Sequence, residues 1–477
     1  MGENGRELVL DMLLEMERQK EYSHRLVRAV LDKYDYLDPK EKAFIKRLSE
    51  GTVERKLEMD YYLNHFSKLP VNKMRPLIRC LLRMSVYQLL YMDMVPDNAV
   101  CDEACKLAAK RGFRSLKGFV NGILRTIARN RDKLPVPDRE KDPVGFFSVK
   151  YSVPEWLVRL WMEEYGKEAA AVLLDGLLAV HPVSLRFSSS VSCQEQETLQ
   201  NRMEEQGARV AAGPYLPNIC LLEHAGGGLH VLPGFQEGRL MVQDVSSALA
   251  VEAAGILQGD FVVDVCGAPG GKSICAAEKA VDGRVLSRDV SEEKVALIGE
   301  NVRRMGIGNV DCQVYDAVCQ DNSLGGRADV VLLDVPCSGL GVMGKKRDIK
   351  YNVTPSDLSE LAELQRRIVD ASAGYVKPGG TLIYSTCTIH SKENEDMVRH
   401  IAEELGFEPV SLEGLLPERL FSERRRLEED MQKAGKDPAR GLSEREYGAC
   451  IQLLPGYMES DGFFLAKFRR KDIEEPM

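Results

Sequence analysis

The spacing of apolar residues changes along the chain. In residues 1–134, apolar side chains recur every three or four positions, for example in the segments that begin at Leu8 and Leu77, and this period predicts helices. Pro76 stands near the start of the second segment, where proline is tolerated, and Pro96 follows its end. The pattern therefore predicts an all-helical first region.

Beyond residue 230, short apolar runs alternate with amphipathic segments. Such alternation predicts an α/β fold, in which a mostly parallel sheet carries helices on both faces. One predicted helix begins after Thr354 and ends at the KPGG turn of residues 377–380, where glycine supplies left-handed backbone angles. The predicted strands are 261–265, 284–289, 309–316, 329–334, 381–387 and 462–470, and the predicted helices are 273–280, 291–305 and 356–376.

Between these regions the pattern is mixed. A proline-rich linker at 134–143 precedes two strand-like segments, VSLRFSS (183–189) and NICLLE (218–223), with helical segments before and between them. The charged stretch 417–443 is predicted to be loosely ordered. The sequence thus predicts three parts: a helical domain at 1–140, a linker with a small α+β module at 141–230, and an α/β domain at 231–477.

Composition narrows the class of protein. A chain of 477 residues is too long for one hydrophobic core, and 44% hydrophobic with 29% charged residues is typical of soluble globular proteins. No stretch approaches the roughly 20 apolar residues of a membrane helix, so no membrane partner is expected. The twelve cysteines lack the spacing of a disulfide framework, which favours the reducing cytoplasm. We expect no metal, because no C-x-x-C pair occurs and the seven histidines are dispersed.

Charge is distributed unevenly. The formal net charge is −9, yet residues 1–134 carry 26 Lys and Arg against 19 Asp and Glu. The segment 106–133 has nine basic residues against Asp132 alone. Such a patch can hold several phosphates of a nucleic acid, although a solvated helix face is the simpler alternative.

A glycine-rich segment, DVCGAPGGKS at 264–273, follows the first predicted strand of the α/β region. Turns of this kind let backbone N–H groups meet a carboxylate or another anion. The segment lacks both the dinucleotide spacing and the phosphate-loop spacing, so S-adenosylmethionine suits it better than a triphosphate. Asp289 closes the next strand, where a ribose-binding acid is expected, and Asp316 closes the third, within reach of an adenine amino group. The alternative for each is a solvated carboxylate at a strand end.

Two cysteines stand at the ends of later strands. Cys337 lies in LLDVPCSGLG and Cys387 in LIYSTCTIH, and Asp334 ends the strand before Cys337. The carboxyl ends of parallel strands are where open α/β sheets bind ligands. Each cysteine alone is more often a buried small apolar residue. Two thiols beside a cofactor turn favour covalent chemistry on a base instead.

Four segments together resemble one family. VCGAPGGKS, LLDVPCSGLGV, STCTIHSKENE and DGFFLAKF are similar to motifs of the NOL1/NOP2/Sun family of RNA cytosine-C5 methyltransferases. The first region, with RLVRAVLDKY, AFIKRLSEGTVER, RMSVYQLLYMDMVPDNAV and GFVNGILRTIAR, resembles the NusB-like RNA-binding domain. Two mild departures are Gly267, where alanine is usual, and Ser273, where threonine is usual.

The resemblance implies a function and its residues. It implies transfer of a methyl group from S-adenosylmethionine to C5 of a cytosine in small-subunit ribosomal RNA, as naked RNA or within a pre-ribosomal particle, by a monomer. Cys387 would be the nucleophile, Cys337 would assist product release, and Asp334 would contact the base. The cofactor site would comprise Cys266, Gly267, Ala268, Pro269, Gly270, Gly271, Lys272, Asp289, Asp316 and Asp334, and the RNA contacts would be Arg186, Lys345, Lys346 and Arg347.

Three other functions stay open. A transfer RNA cytosine methyltransferase on the same scaffold is the nearest, although the NusB-like region argues against it. A DNA cytosine methyltransferase is disfavoured, because that family attacks with its proline-cysteine thiol and has no need of Cys387. A non-catalytic RNA-binding assembly factor is disfavoured by the presence of Asp334, Cys337 and Cys387.

Overall fold

The computed structural model describes residues 4–19, 23–34, 36–179, 182–224 and 228–472. The outer ends of the predicted first and last domains, residues 1–3 and 473–477, lie outside the described residues. Contacts divide the chain into two compact units, Met1–Glu163 with Lys345–Val353, and Glu164–Gly344 with Thr354–Met477. The three-part division at residues 140 and 230 stays a prediction.

The first unit is helical, which confirms the prediction for the amino-terminal region. Apolar side chains at three- and four-residue spacing, such as Leu81, Leu82 and Leu89, are buried in one core. Pro76 is the first residue of its helix, as expected. The helices are α1 (Gly5–Gln19), α2 (Ser23–Lys33), α3 (Pro39–Glu54), α4 (Lys56–Phe66), α5 (Pro76–Tyr91), α6 (Asp97–Lys110), α7 (Lys117–Arg129), α8 (Pro143–Tyr151) and α9 (Glu155–Tyr165), which ends in the second unit.

The second unit begins with a small antiparallel sheet. Its strands β1 (Val183–Phe187), β2 (Arg209–Ala212), β3 (Ile219–His224) and β4 (Leu240–Val242) lie in the order β2-β3-β1-β4. Helix α10 (Lys167–Leu178) precedes β1, and helix α11 (Cys193–Glu205) lies between β1 and β2 in the chain. Ser192 and Glu195 form a reciprocal cap at the start of α11.

An eight-stranded sheet forms the core of the second unit. It contains β5 (Phe261–Asp264), β6 (Arg284–Asp289), β7 (Val310–Val314), β8 (Ala328–Asp334), β9 (Val376–Thr386), β10 (Glu408–Pro409), β11 (Cys450–Leu453) and β12 (Phe463–Arg469). The order is β10-β12-β9-β8-β5-β6-β7, with β11 beside β12. Strands β5 to β9 are parallel, and β10 to β12 are antiparallel. The strand order reverses between β5 and β8, so a ligand crevice is expected at their carboxyl ends.

Helices cover this sheet, which confirms the α/β prediction. They are α12 (Val245–Ala254), α13 (Gly271–Lys279), α14 (Glu292–Arg304), α16 (Pro355–Ala373), α17 (Glu395–Arg399), α18 (Glu418–Lys433) and α19 (Glu444–Gly448), while the short α15 (Ile349–Asn352) belongs to the first unit. Residues His400–Glu404 continue α17 as a π-helix.

Two predictions about this region are wrong. The charged stretch 417–443 contains the 16-residue helix α18, because its apolar residues Leu420, Phe421, Leu427 and Met431 stand on one buried face. Helix α16 ends at Ala373, and the KPGG residues lie within β9, since Val376 already pairs with Ala328. Gly379 does adopt a left-handed angle, with φ of 72°.

Candidate active site

The glycine turn (residues 265–270) joins β5 to α13. Gly270, the residue before the helix, has φ of 102°, which favours glycine. At Gly267 a Cβ atom would lie 2.3 Å from Oγ of Ser287 and 3.0 Å from Oγ of Ser273. A side chain at this position would collide with the two serines behind the turn, so glycine lets the turn pack closely against them, while the backbone N–H groups at the N-terminus of α13 can meet an anion.

Asp264 lies beneath the glycine turn. Its carboxylate is fully buried, and Oδ2 accepts a 2.6 Å hydrogen bond from Oγ of Ser273. The hydroxyl groups of Ser273 and Ser287 are 2.7 Å apart. Oδ1 has no hydrogen-bond partner among the described residues, and burial raises the pKa of Asp264 to about 6.

Two further predicted carboxylates stand at the same sheet edge. Asp289 ends β6, where Oδ2 accepts from the backbone N of Ala268 at 3.2 Å and Oδ1 lies 3.0 Å from Nζ of Lys294. Asp316 is exposed two residues beyond β7. Together with the open turn and the unpartnered oxygen of Asp264, these groups fit a nucleoside that carries an amino acid.

Lys272 links the glycine turn to the end of β8. Its Nζ donates to Oδ2 of Asp334 at 2.6 Å and to Oγ of Ser247 at 3.1 Å. Oδ1 of Asp334 accepts from Oγ of Ser385 at 3.0 Å. Burial acts to lower the pKa of Lys272, but the facing charge of Asp334 outweighs it and the pKa is raised. The lysine is therefore a permanent cation beside Asp334, a contact that sequence analysis missed.

The two predicted catalytic thiols are in contact. Sγ of Cys337 lies 3.2 Å from Sγ of Cys387, although fifty positions separate them in the sequence. The hydrogen bond with Cys387 and burial raise the pKa of Cys337 well above its ordinary value. A Cys337 thiol that holds its proton can donate a hydrogen bond to the sulfur atom of Cys387.

A buried polar network holds the cysteine loop (residues 387–394). Glu393 is fully buried and accepts from the backbone N of Ser338 at 2.9 Å, from its Oγ at 2.6 Å and from Nε2 of Gln365 at 2.8 Å. Asn394 accepts from Oγ1 of Thr386 at 2.7 Å. The bonds of Glu393 hold Ser338, the residue after Cys337, against the cysteine loop. Sequence analysis assigned them no role, although Glu393 and Asn394 lie in the quoted STCTIHSKENE segment.

One of the predicted RNA contacts needs a correction. Arg186 is only 1% exposed, because its guanidinium donates to Oε1 of Gln243 and pairs with Glu278, both at 2.5 Å. It supports the small sheet and is not available to RNA. Arg347 lies in the first unit, where its guanidinium donates to Glu54 at 2.8 Å and is partly exposed, so its contact with RNA stays a prediction.

The remaining two predicted RNA contacts, Lys345 and Lys346, are exposed. Their contact with RNA stays a prediction.

Comparisons with known proteins match both parts of the chain. Residues 255–469 match the model of the 16S rRNA methyltransferase RsmB/F family, and residues 3–129 match the model of the NusB family. The chain is 34% identical over 471 residues to the probable ribosomal RNA small subunit methyltransferase B of Bacillus subtilis (strain 168), covering 98% of each protein.

Solved structures share the fold. The structure of PH0851 has a TM-score of 0.76 at 23% identity and covers 98% of this chain and 100% of its own. NSun6 from Pyrococcus horikoshii with SFG has a TM-score of 0.53 at 20% identity and covers 67% of this chain and 99% of its own. At these identities the likeness concerns the fold.

Proposed function

Because the chain belongs to the family of ribosomal RNA small subunit methyltransferase B, we propose that it methylates C5 of a cytosine in small-subunit ribosomal RNA through a covalent adduct at Cys387. The observation that carries this chemistry is the 3.2 Å contact between the sulfur atoms of Cys337 and Cys387. A factor that only binds RNA has no need of two touching thiols and a Lys272–Asp334 ion pair at the same sheet edge.

S-adenosylmethionine is the methyl donor of this family. Bound at the glycine turn, it supplies an electrophilic methyl group. The turn would hold it through backbone N–H groups, Asp289 would meet its ribose, and Asp316 would meet its base. The unpartnered oxygen of Asp264 offers a further acceptor on the same side of the sheet.

Cys387 begins the reaction on cytosine. C5 of cytosine is a poor nucleophile until a group adds at C6, and a thiolate is the side chain best suited to that addition. The bond from Sγ of Cys387 to C6 forms as the C5–C6 π electron pair moves onto C5. That pair would then form the bond to the methyl carbon as the bond from this carbon to the sulfonium sulfur breaks, with the sulfur keeping that electron pair.

Asp334 acts on the opposite edge of the ring. A proton on N3 of the base would donate a hydrogen bond to the Asp334 carboxylate, and the positive charge so held on the ring draws electron density from C6 and eases addition of the thiolate. Lys272 and Ser385 each hold one oxygen of this carboxylate, so its orientation is set before the base arrives.

Cys337 assists release. The C5 proton passes to water, the freed pair re-forms the C5–C6 double bond, and the electrons of the C6–sulfur bond return to Cys387. The S–H group of Cys337, kept protonated by its raised pKa, donates to the departing thiolate. The target cytosine must leave its stack to reach both sulfur atoms.

The first unit supplies a basic surface for the RNA. On α7, the side chains of Val120, Ile123, Leu124 and Ile127 are buried, while Lys117, Arg125 and Arg129 are exposed. The helix therefore presents one cationic face within the basic 106–133 segment, and such a face binds phosphates without reading sequence. Lys345 and Lys346 would extend the contact.

The test compares two variants with the wild type. Cys337→Ala and Cys387→Ala are incubated with S-adenosylmethionine and small-subunit ribosomal RNA, then run on a denaturing gel, with exposed Cys319→Ala as the matched control. We expect a trapped protein–RNA adduct for Cys337→Ala, none for Cys387→Ala and normal turnover for Cys319→Ala.

Equal behaviour of the two site variants would refute the assigned roles. Bisulfite mapping of the product locates the methylated base, and modification of a transfer RNA transcript instead of ribosomal RNA would overturn the proposed substrate.

A further inference from the structure

Arg440 is a buried cation in the stretch that sequence analysis predicted to be loosely ordered. Its side chain is 11% exposed, and its backbone has φ of 49°, a left-handed angle that is uncommon for arginine. Its Nη1 donates to Oε1 of Glu395 at 3.0 Å and lies 3.7 Å from Oε2 of Glu164. The guanidinium also faces the ring of Tyr165, 4.1 Å from its centroid.

Each of these three partners is attached to the cysteine loop. Glu164 accepts a 2.7 Å hydrogen bond from Oγ of Ser391 through its other oxygen. Tyr165 donates its hydroxyl to the backbone oxygen of Ile389 at 3.1 Å. Glu395 follows Asn394, which holds the strand end before Cys387 through Thr386.

The two carboxylates need a cation between them. Glu164 and Glu395 are both buried, and each leaves its Oε2 without a hydrogen-bond partner among the described residues. Like charges this close repel strongly in a poorly solvated site. Among the described residues, Arg440 pairs with both glutamates, while Glu164 also lies 3.3 Å from Nδ1 of His390 through its Oε1.

We propose that Arg440 is a positioning residue for the nucleophile: by neutralising Glu164 and Glu395, it holds the cysteine loop so that Cys387 meets C6 of the target base. The inference rests on the proposed function and deepens it, because it assigns a role to the stretch after α18. Arg440 touches neither thiol. Its left-handed backbone is the kind of local strain that persists where surrounding contacts over-determine a functional geometry.

The test first removes the positive charge of Arg440 and then removes one of the two negative charges that it neutralises. Arg440→Met keeps an unbranched apolar stem without the charge, and Arg440→Lys keeps the charge. Since a displacement of about 1 Å can cost about 100-fold in rate, we expect Arg440→Met to lower kcat by at least tenfold. The KM for ribosomal RNA and the Kd for S-adenosylhomocysteine should change by less than about twofold, because the RNA surface and the glycine turn are untouched.

Two rescues separate positioning from general stability. Arg440→Lys should recover most of the lost kcat. Adding Glu395→Gln to Arg440→Met should raise kcat at least threefold over the single variant, since one of the repelling charges is gone. All rates are measured well below each melting temperature, and exposed Arg445→Ala on α19 is the matched control.

Three results would overturn the inference. They are a wild-type kcat for Arg440→Met, a double variant no faster than the single one, and loss of S-adenosylhomocysteine binding in parallel with kcat. Cys387→Ala in the same assay tells the two proposals apart. If it still methylates RNA, the proposed function fails; if it is inactive while Arg440→Met is normal, only the role of Arg440 fails.

Discussion

The two turns that build the site keep their shape by different means. The glycine turn depends on missing atoms: at Gly267 no Cβ fits, and Gly270 adopts a left-handed angle. The cysteine loop depends instead on buried polar side chains, because Glu393 and Asn394 accept hydrogen bonds from the residues packed against the loop. The glycine turn has to bring its backbone close to the cofactor, whereas the cysteine loop has to orient the sulfur atom of Cys387.

This difference determines how each turn should fail. A substitution in the glycine turn acts through local space, so it should alter cofactor binding and leave the rest of the fold intact. A substitution in the network of the cysteine loop strands buried polar groups, so it should alter both stability and the chemical step.

Asp334 stands where the two turns meet, and its replacement should have the largest effect. It binds Lys272 on the side of the glycine turn and Ser385 on the side of the cysteine loop. We expect Asp334→Asn to lower kcat by about 100- to 1,000-fold, as for loss of an electrostatic contact made in the transition state. Single-turnover methylation of ribosomal RNA measures this, with exposed Asp311→Asn as the control. A loss below tenfold would remove Asp334 from the chemistry.

Glu393→Ala isolates the cysteine loop. The substitution deletes the acceptor of three hydrogen bonds and leaves Ser338 and Gln365 with unmet donors. We expect the free energy of unfolding to fall by about 3 kcal/mol. Urea unfolding measures it, with exposed Glu403→Ala as the control. Binding of S-adenosylhomocysteine should persist at low temperature, and its loss would mean that the two turns are not independent.

The glycine turn was predictable because its residues are contiguous in the sequence. Its glycines indicate a turn that presents its backbone, and no distant partner is needed to recognise it. The thiols and Asp334 were predictable for a similar reason, since each stands at the end of a strand-like run. Arg186 was wrongly predicted to contact RNA, because its partners Gln243 and Glu278 lie 57 and 92 positions away in the sequence. No local pattern marks such a pair.

The charged stretch was misjudged for another reason. Its charge outweighs its apolar residues in composition, yet Leu420, Phe421, Leu427 and Met431 share one face of α18. In such a segment the spacing of the apolar residues is a better guide to secondary structure than the overall composition. The role we propose for Arg440 was equally invisible, because Glu164 precedes it by 276 positions and only the fold brings the two together.

Gly267→Ala tests the space beneath the glycine turn. The new Cβ would lie 2.3 Å from Oγ of Ser287, so we expect the Kd of S-adenosylhomocysteine to rise about tenfold, or about 1.4 kcal/mol. Adding Ser287→Ala removes the clashing oxygen and should recover part of the affinity. Isothermal titration measures both, with Gly259→Ala as the control, since a Cβ at Gly259 meets open space. Unchanged affinity in Gly267→Ala would show that the turn tolerates a side chain.

The buried carboxyl group beneath the same turn should make the stability of the fold depend on pH. Burial raises the pKa of Asp264 from its ordinary 3.8 to about 6, so between these values the folded protein binds more protons than the unfolded chain. Stability contributed by this group is therefore present at low pH and is lost as the pH rises through about 6, with a slope of at most about 1.4 kcal/mol per pH unit. Asp264→Asn replaces the titratable carboxyl group by an amide of the same shape. The difference in unfolding free energy between wild type and variant should therefore fall from pH 4 to pH 6 and then stay level. A difference that is flat across this range would mean that Asp264 is already ionised at pH 4, and that the glycine turn, like the cysteine loop, is held by a buried charge.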